Sequence, residues 1–236
     1  RSFPNHGGRA HEERQVGGSF CHSPFWRLMT PIMSQRRSRR AADLHFLGKT
    51  KMEKNVALIA LFAALIGALG LIPKITLLSG IPITAQSMGI MLCGTVLGAK
   101  RGLLAVVLFL VLVAIGLPLL AGGRGGLGVF TTPWAGFLFG FPIAAFVTGL
   151  IVEKWRGPNL SVSAITASII GGIGALYIVA VPYYMVMKPA GLSEALLTTM
   201  APFMPGDLIK AVIAGLVTGA LYKARPASVL SRANDR

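Results

Sequence analysis

Charged side chains are scarce in this chain. They make up 13% of its 236 residues, whereas hydrophobic residues make up 53% and the mean hydropathy is +0.67. A soluble domain has about a quarter of its residues charged. The composition therefore argues against a water-soluble globule and favours a membrane protein.

The residue types that usually perform catalysis or bind metals are scarce as well. All four histidines lie before residue 46, and the two cysteines, Cys21 and Cys93, are too few for a disulfide framework or a zinc cluster. Between residues 55 and 225 the carboxylates are Glu153, Glu194 and Asp207. The sequence has no HExxH, GxSxG or CxxC motif and no Walker A lysine. We therefore expect no catalytic site, no metal site and no cofactor of the chain's own, so that it is not an enzyme.

The net charge of +15 is divided between two unlike parts of the chain. Residues 1–51 contain ten lysines and arginines against three acids, and they show no apolar period and no hydrophobic region of a secretory signal. We predict a basic N-terminal extension here, either disordered at a membrane surface or non-native and without function. Its basic run at 36–40 (RRSRR) has little aromatic interleaving, so we expect lipid and not nucleic acid as a partner.

Long stretches without charge follow from residue 55. They cover 55–73, 75–99, 102–123, 125–152, 157–187 and 211–222. A membrane-spanning helix needs about 20 mostly apolar residues, and the backbone in hydrocarbon must satisfy its own hydrogen bonds. The pattern predicts an all-α membrane domain over 52–225 and a short cytoplasmic tail at 226–236. The six predicted transmembrane helices are 55–72, 83–98, 102–117, 134–152, 162–187 and 206–223.

The distribution of lysine and arginine predicts that both termini are cytoplasmic. On that orientation the outer loops contain only Lys74, Arg124 and Lys188. The inner ends of the helices contain Lys54, Lys100, Arg101, Lys154, Arg156, Lys223 and Arg225. The outer loops, 73–82, 118–133 and 188–205, are also the longer ones, and function is often found on such loops. We therefore expect a site that opens outward.

Asp207 and Lys210 are the most informative polar pair. They lie three residues apart at the outer start of the last predicted helix, on one helix face. Ionisable residues cost about 2.5–3.5 kcal/mol each in the middle of a membrane helix, so they indicate a functional site by default. The alternative is a structural pair in which Asp207 caps the helix. A lysine near a helix N-terminus opposes the dipole, so capping alone does not account for Lys210.

The loop AGGRGGLG at 121–128 contains a literal GxGxxG, from Gly123 to Gly128. A dinucleotide site needs that motif between a strand and a helix of a soluble βαβ unit, and here a membrane helix precedes it. We interpret it as a lid whose backbone approaches a ligand, with Arg124 supplying a cation for a carboxylate. The alternative is a solvated loop arginine.

Other polar and aromatic side chains are weaker candidates. Thr84 and Gln86 can hydrogen-bond a neutral polar group of a ligand, or they satisfy the start of the second helix. Tyr177 either forms the wall of a pocket or belongs to an interfacial aromatic belt, whereas we assign Trp134 and Tyr184 to that belt.

The first predicted helix has a strip of small residues. Ala60, Ala64 and Ala68 follow one another at intervals of four, which lets another helix approach closely. The partner is either a helix of this chain or another subunit.

Four segments, in this order, resemble the BioY family, the biotin-specific S component of energy-coupling-factor (ECF) transporters. They are ALIALFAALIGA at 57–68, GIPITAQ at 80–86, GLPLLAGGRGGLG at 116–128 and PFMPGDLIK at 202–210, and the resemblance covers about residues 55–224. It implies the six-helix S-component fold in the bacterial cytoplasmic membrane, with biotin bound near the outer face. S components for another vitamin and solitary biotin transporters remain alternatives.

The resemblance also implies roles for residues and partners. It assigns Asp207 and Lys210 to the biotin site and the alanine strip of the first helix to docking of a transmembrane T subunit. Two ATP-binding subunits would supply the energy. Asp207 can accept from the ureido N–H groups of biotin, and either Lys210 or Arg124 can hold the carboxylate or the ureido oxygen.

Overall fold

The structure is a computed structural model that describes residues 52–72, 75–76, 82–157 and 159–232. The chain divides into two compact units, Arg1–Met52 and Glu53–Arg236, and the described residues from Glu53 onward belong to the second. The predicted basic extension at 1–51 lies outside the described residues.

Helices make up most of the described part. They are α1 (Met52–Leu71), α2 (Gln86–Leu97), α3 (Ala99–Ala114), α4 (Ala135–Lys154), α5 (Leu160–Met187), α6 (Leu192–Thr199) and α7 (Met204–Ala224). Helix α2 ends in the π-helical segment Cys93–Leu97, and α5 contains the π-helical segment Ser168–Ala175. Between α1 and α2, strand β1 (Ile75–Thr76) pairs antiparallel with β2 (Pro82–Ile83). Short 3-10 turns occupy Leu127–Thr131, Pro226–Ser228 and Leu230–Arg232.

The expected all-α membrane fold is confirmed. Helices α1, α4, α5 and α7 each have at least 20 residues and a mean hydropathy between 1.4 and 2.1, enough to cross a membrane. The shorter α2 and α3 complete the six transmembrane helices. Helices α2 and α3 are joined through Gly98 alone, and α3 packs against the π-helical end of α2.

The predicted start of the third helix at residue 102 is wrong by three residues. Gly98 has a positive φ of 85° that ends α2, and α3 then begins at Ala99, before the charged pair Lys100 and Arg101. The N–H of Ala99 donates to Glu153 Oε1 at 3.0 Å, so a carboxylate from the end of α4 caps α3. A cap supplied from 54 residues away leaves no local signal in the sequence.

The outer loop predicted at 188–205 contains the unpredicted helix α6. Glu194 lies in its first turn, where a negative charge is favourable to the helix dipole. Ala195 and Thr199 are fully buried, so packing against the bundle stabilises a helix of only eight residues.

Glycines let the helices pack at backbone distance. A Cβ on Gly149 of α4 would overlap the backbone of Gly98 and Ala99, and a Cβ on Gly171 of α5 would overlap the backbone of Thr148. Helix α4 therefore lies between α3 and α5, with which it makes its most extensive contacts, while the first part of α5 packs on α7. This close packing fixes the ends of α2, α4, α5 and α7 relative to one another.

The two ends of the bundle differ in character. At one end, here called the basic end, lie the lysines and arginines that flank α3, α4 and α7. The segment predicted as a tail turns back onto this end: Val229 and Ser231 are buried, and Ser231 Oγ donates to the carbonyl of Thr95 at 2.6 Å. The opposite end, here called the site end, contains the cavity described next.

Candidate ligand-binding site

A cavity of about 670 Å³ opens at the site end, where α2, α4 and α7 begin. Its polar lining consists of Thr84, Gln86, Ser87, Arg124, Tyr177, Thr198, Asp207 and Lys210. Its apolar lining includes Leu120, Trp134, Phe137, Leu138, Phe141, Leu176, Leu197 and Phe203. A largely apolar cavity of this size with a few convergent polar groups suits a small organic ligand.

Asp207 and Lys210 form a buried ion pair in this cavity. Helix α7 begins at Met204 with Pro205 in its first turn, which places Asp207 in the first turn and Lys210 one turn later on the same face. Lys210 Nζ lies 3.0 Å from Asp207 Oδ1, and both residues are at most 9% exposed. The pair has no net charge, so it offers a ligand strong hydrogen-bonding groups without an unbalanced charge in a low-dielectric site.

Two hydroxyl groups complete the polar cluster. Ser87 Oγ donates to Asp207 Oδ1 at 3.1 Å and accepts from Lys210 Nζ at 3.0 Å, while the hydroxyl of Tyr177 donates to Asp207 Oδ2 at 2.8 Å. Ser87 comes from α2, Tyr177 from α5 and the charged pair from α7. The four residues, called the polar quartet below, therefore join three helices.

A count of hydrogen bonds shows what the quartet leaves available. A carboxylate has about four acceptor positions and an ammonium group three donors. Within the described part of the chain, Asp207 uses two positions on Oδ1 and one on Oδ2, and Lys210 uses two donors. One acceptor on Asp207 and one donor on Lys210 thus remain for a ligand at the cavity.

Gln86 lines the cavity, but its amide is bonded to backbone. Its Nε2 donates to the carbonyl of Leu119 at 3.0 Å, and its Oε1 accepts from the N–H of Ala121 at 3.1 Å. A third, longer bond runs from Nε2 to the carbonyl of Ile66 in α1 at 3.5 Å. The alternative in which Gln86 satisfies a helix start is not what the structure shows, because these partners lie in α1 and in the loop after α3. Direct contact of Gln86 with a ligand stays a prediction.

Arg124 lies at the mouth of the cavity on a glycine-rich loop. Gly122, Gly123 and Gly126 have φ values of 84°, 69° and 86°, a region that favours glycine, so the loop at 121–128 is a tight irregular turn. The side chain of Arg124 is exposed, with Nε 3.4 Å from the carbonyl of Ala121. A cation at this position can meet an anionic group of a ligand at the outer side of the cavity.

Aromatic rings form much of the cavity wall. The ring of Phe137 contacts those of Trp134, Tyr177 and Phe203, with centroids 5.7–6.3 Å apart. Our assignment of Tyr184 to an interfacial aromatic belt is wrong, because Tyr184 is buried and its ring centroid lies 5.5 Å from that of Trp134. Trp134 is 38% exposed and also lines the cavity.

All six residues predicted to bind substrate line the same cavity. They are Thr84, Gln86, Arg124, Tyr177, Asp207 and Lys210. Their contacts with a ligand stay predictions. By contrast, Ala60, Ala64 and Ala68 lie on an exposed face of α1, away from this cavity.

Sequence reasoning missed Ser87 and the ring of Phe137. Ser87 follows Gln86 directly in an otherwise apolar helix, and its polarity was a signal that could have been used. Phe137 carried no usable signal, since one phenylalanine in an apolar helix is typical of any membrane segment.

Sequence comparison shows which known proteins this chain resembles. The model of the BioY family matches residues 38–227. The biotin transporter BioY of Rhodobacter capsulatus is 52% identical over 189 residues, which are 77% of this chain and 100% of that protein. The biotin transporter BioY of Rhizobium etli is 48% identical over 73% of this chain and 95% of its own length.

A solved structure is similar as well. It is the crystal structure at 2.1 Å of the S component for biotin from an ECF-type ABC transporter, with 30% sequence identity and a TM-score of 0.67. The similarity covers 74% of this chain and 93% of that one. With a family match over most of its length and close relatives of full coverage, the chain belongs to the BioY family.

Proposed function

We propose that this chain binds biotin at the outer face of the bacterial cytoplasmic membrane and delivers it inward as the substrate-specific component of an ECF transporter. The observation that carries the proposal is the buried polar quartet of Ser87, Tyr177, Asp207 and Lys210 within an apolar cavity. The similarity to proteins named as biotin transporters supports the same ligand.

The available groups of the quartet match a cyclic urea. The acceptor left on Asp207 takes a ureido N–H, and the donor left on Lys210 takes the ureido oxygen. Because the ion pair is already neutral, a neutral ureido ring adds no charge to the buried site. This division of roles assigns Lys210 to the ureido oxygen and leaves the carboxylate of biotin to another cation.

The remaining parts of biotin match the rest of the cavity. The rings of Phe137 and Phe203 offer an apolar wall to the thiophane ring and the aliphatic chain. The exposed Arg124 at the mouth suits the terminal carboxylate. Thr84 also lines the cavity and can hydrogen-bond a polar group of the ligand.

We infer that transport energy comes from partner subunits. The face of α1 with Ala60, Ala64 and Ala68 is exposed. Only 22% of the most apolar stretch of α1 is buried inside the protein, whereas 44–56% of the corresponding stretch is buried in α4, α5 and α7. Small exposed residues allow a second helix to pack closely. This supports docking of a T subunit on α1. We further infer that two ATP-binding subunits hydrolyse ATP and that this chain holds no cofactor of its own.

We place both termini in the cytoplasm. The basic end of the bundle supports this orientation, because lysine and arginine accumulate on the cytoplasmic side of membrane proteins. The cavity then opens to the outside, as uptake requires.

The test compares biotin binding and uptake by the intact chain and by Asp207→Asn. The substitution keeps the shape of the side chain but removes the charge that strengthens its hydrogen bonds and leaves Lys210 without its partner. We expect affinity for biotin to fall at least about tenfold, since hydrogen bonds to charged groups contribute about 1.5–3 kcal/mol. Titration calorimetry in detergent and uptake of labelled biotin in cells lacking their own transporter measure the effect.

Glu153→Gln is the matched control. It makes the same chemical change at the basic end, and the amide oxygen can still accept from Ala99 N–H. We expect unchanged biotin affinity. Asp207→Asn with wild-type affinity would contradict the role of Asp207, and preferential binding of riboflavin or thiamine would overturn biotin as the ligand. Uptake with and without the ATP-binding subunits distinguishes an ECF component from a solitary transporter.

A further inference from the structure

The side chain of Gln86 is bonded to the backbone of the loop that carries Arg124. Its Nε2 donates to the carbonyl of Leu119, and its Oε1 accepts from the N–H of Ala121. The side-chain amide thus forms one hydrogen bond on each side of Leu120, as the backbone of a neighbouring strand would. Only one orientation of the amide satisfies both groups, because the carbonyl of Leu119 needs a donor and the N–H of Ala121 an acceptor. Gln86 is 4% exposed; its bond with Ala121 is buried, and its bond with Leu119 is partly buried.

Leu120, which lies between these two bonds, is bonded in turn to Arg124. The N–H of Leu120 donates to the carbonyl of Arg124 at 3.0 Å, and the N–H of Arg124 donates to the carbonyl of Leu120 at 3.3 Å. Gln86 thus holds Leu119 and Ala121, and the residue between them holds the backbone of Arg124. Two successive layers of hydrogen bonds connect the start of α2 to the base of the Arg124 side chain.

Helix α1 closes the other side of this junction. Gly70 approaches so closely that an added Cβ would overlap the carbonyl oxygen of Leu119 and lie 2.7 Å from Gln86 Nε2. The loop around Leu119 is therefore enclosed by α1 and by Gln86. Further along, Tyr183 donates to the carbonyl of Phe130 at 3.2 Å, so the loop region is attached on both sides of Arg124.

We propose that Gln86 is a positioning residue that sets the affinity for the anionic end of the ligand by holding the Arg124 loop over the cavity. The inference rests on the proposed function, because it takes the anionic end to be the carboxylate of biotin. Gln86 acts through Arg124 and makes no direct contribution to recognition of the ureido ring.

The test measures the affinity of the purified full-length chain for biotin and for biotin methyl ester, which lacks the anion. Gln86→Leu replaces the amide by an apolar side chain of comparable size, so that the groups of Leu119 and Ala121 lose their partner. We expect it to weaken biotin about tenfold and the ester less than about twofold. Arg124→Ala should show the same selectivity, and the double variant should bind biotin no more weakly than Arg124→Ala alone.

Thr95→Val is the matched control for loss of a buried polar group. The hydroxyl of Thr95 pairs with that of Thr218 at 2.8 Å, outside the cavity lining. This variant should keep wild-type affinity for both ligands, even if its melting temperature falls.

Three results would overturn the inference. In the first, Gln86→Leu loses affinity for biotin and for the ester equally. In the second, the losses of biotin affinity in Gln86→Leu and Arg124→Ala multiply in the double variant. In the third, Arg124→Ala binds biotin with wild-type affinity. A wild-type chain that binds no biotin at all would instead overturn the proposed function, so the two failures are distinguishable.

Discussion

The hydroxyl of Ser87 joins the two charged groups of the cavity. It donates to Asp207 and accepts from Lys210, so it fixes the direction in which both side chains present their remaining hydrogen-bonding positions. A ligand then meets a preorganised pair, and less conformational entropy is lost on binding. At the scale of single residues, we therefore expect ligand affinity to depend on the hydroxyl of Ser87 as well as on the ion pair.

Ser87→Ala should weaken biotin binding about tenfold. The substitution removes the two hydrogen bonds that hold the side chains of Asp207 and Lys210 in one direction. The pair is then less preorganised for a ligand, and a loss of about 1.4 kcal/mol of binding free energy corresponds to tenfold. We expect a smaller loss than for Asp207→Asn, because the charged groups themselves remain. Titration calorimetry measures the change.

Ser168→Ala is the control for that experiment. Ser168 is also fully buried, but its Oγ has no hydrogen-bond partner among the described residues. We expect wild-type affinity and equal or higher stability, since removing a buried group without a partner relieves a desolvation cost. Equal losses of affinity in the two variants would contradict the role of Ser87.

The helices are held in place by close contacts at glycine. Gly149 of α4 faces the backbone at the junction of α2 and α3, and that junction is also capped by Glu153 of the same helix. Helix α4 therefore fixes the junction of α2 and α3 in two ways. Gln86 and Ser87 lie at the opposite end of α2 from this junction.

Gly149→Ala should destabilise the bundle by about 2–3 kcal/mol. Its Cβ would overlap backbone atoms of Gly98 and Ala99, which cannot move aside as a flexible side chain can. We expect a lower melting temperature in detergent, measured by thermal unfolding. Gly128→Ala is the control, because a Cβ there meets nothing within 4 Å and its stability should not fall. A melting temperature of Gly149→Ala equal to that of the wild type would contradict this packing.

In the described molecule as a whole, the cavity and the segment that packs across the basic end lie at opposite ends of the bundle. The polar quartet lies where α2 and α7 begin, whereas the segment at 226–232 packs at the basic end. Arg232 donates to the carbonyl of Trp155 at 3.0 Å, and Ser231 donates to Thr95. The separation predicts that stability at the basic end can change without loss of ligand affinity.

Ser231→Ala should lower stability by about 1 kcal/mol and leave biotin affinity unchanged. The substitution removes a buried hydrogen bond to Thr95 at the π-helical end of α2. Ser228→Ala is the matched control, because the hydroxyl of Ser228 is exposed and bonds only locally to Arg225. Thermal unfolding and biotin titration of both variants test the prediction; a weakened biotin affinity in Ser231→Ala would show that the two ends are coupled.

The sequence by itself determined the six apolar helices and the buried pair of Asp207 and Lys210. Length and hydropathy are properties of continuous segments, and a spacing of three residues places two side chains on one helix face wherever the helix lies. The resemblance of four segments to the BioY family added the expectation that the ligand is biotin. The family match confirms the resemblance.

Only the tertiary structure decided which polar groups meet. Ser87 and Asp207 are 120 residues apart, Gln86 and Ala121 are 35 apart, and Ala99 and Glu153 are 54 apart. Helix α6 likewise depends on the burial of Ala195 and Thr199 against other parts of the bundle. Such contacts follow from how the helices pack, and packing is a property of pairs of segments that no single stretch of sequence specifies.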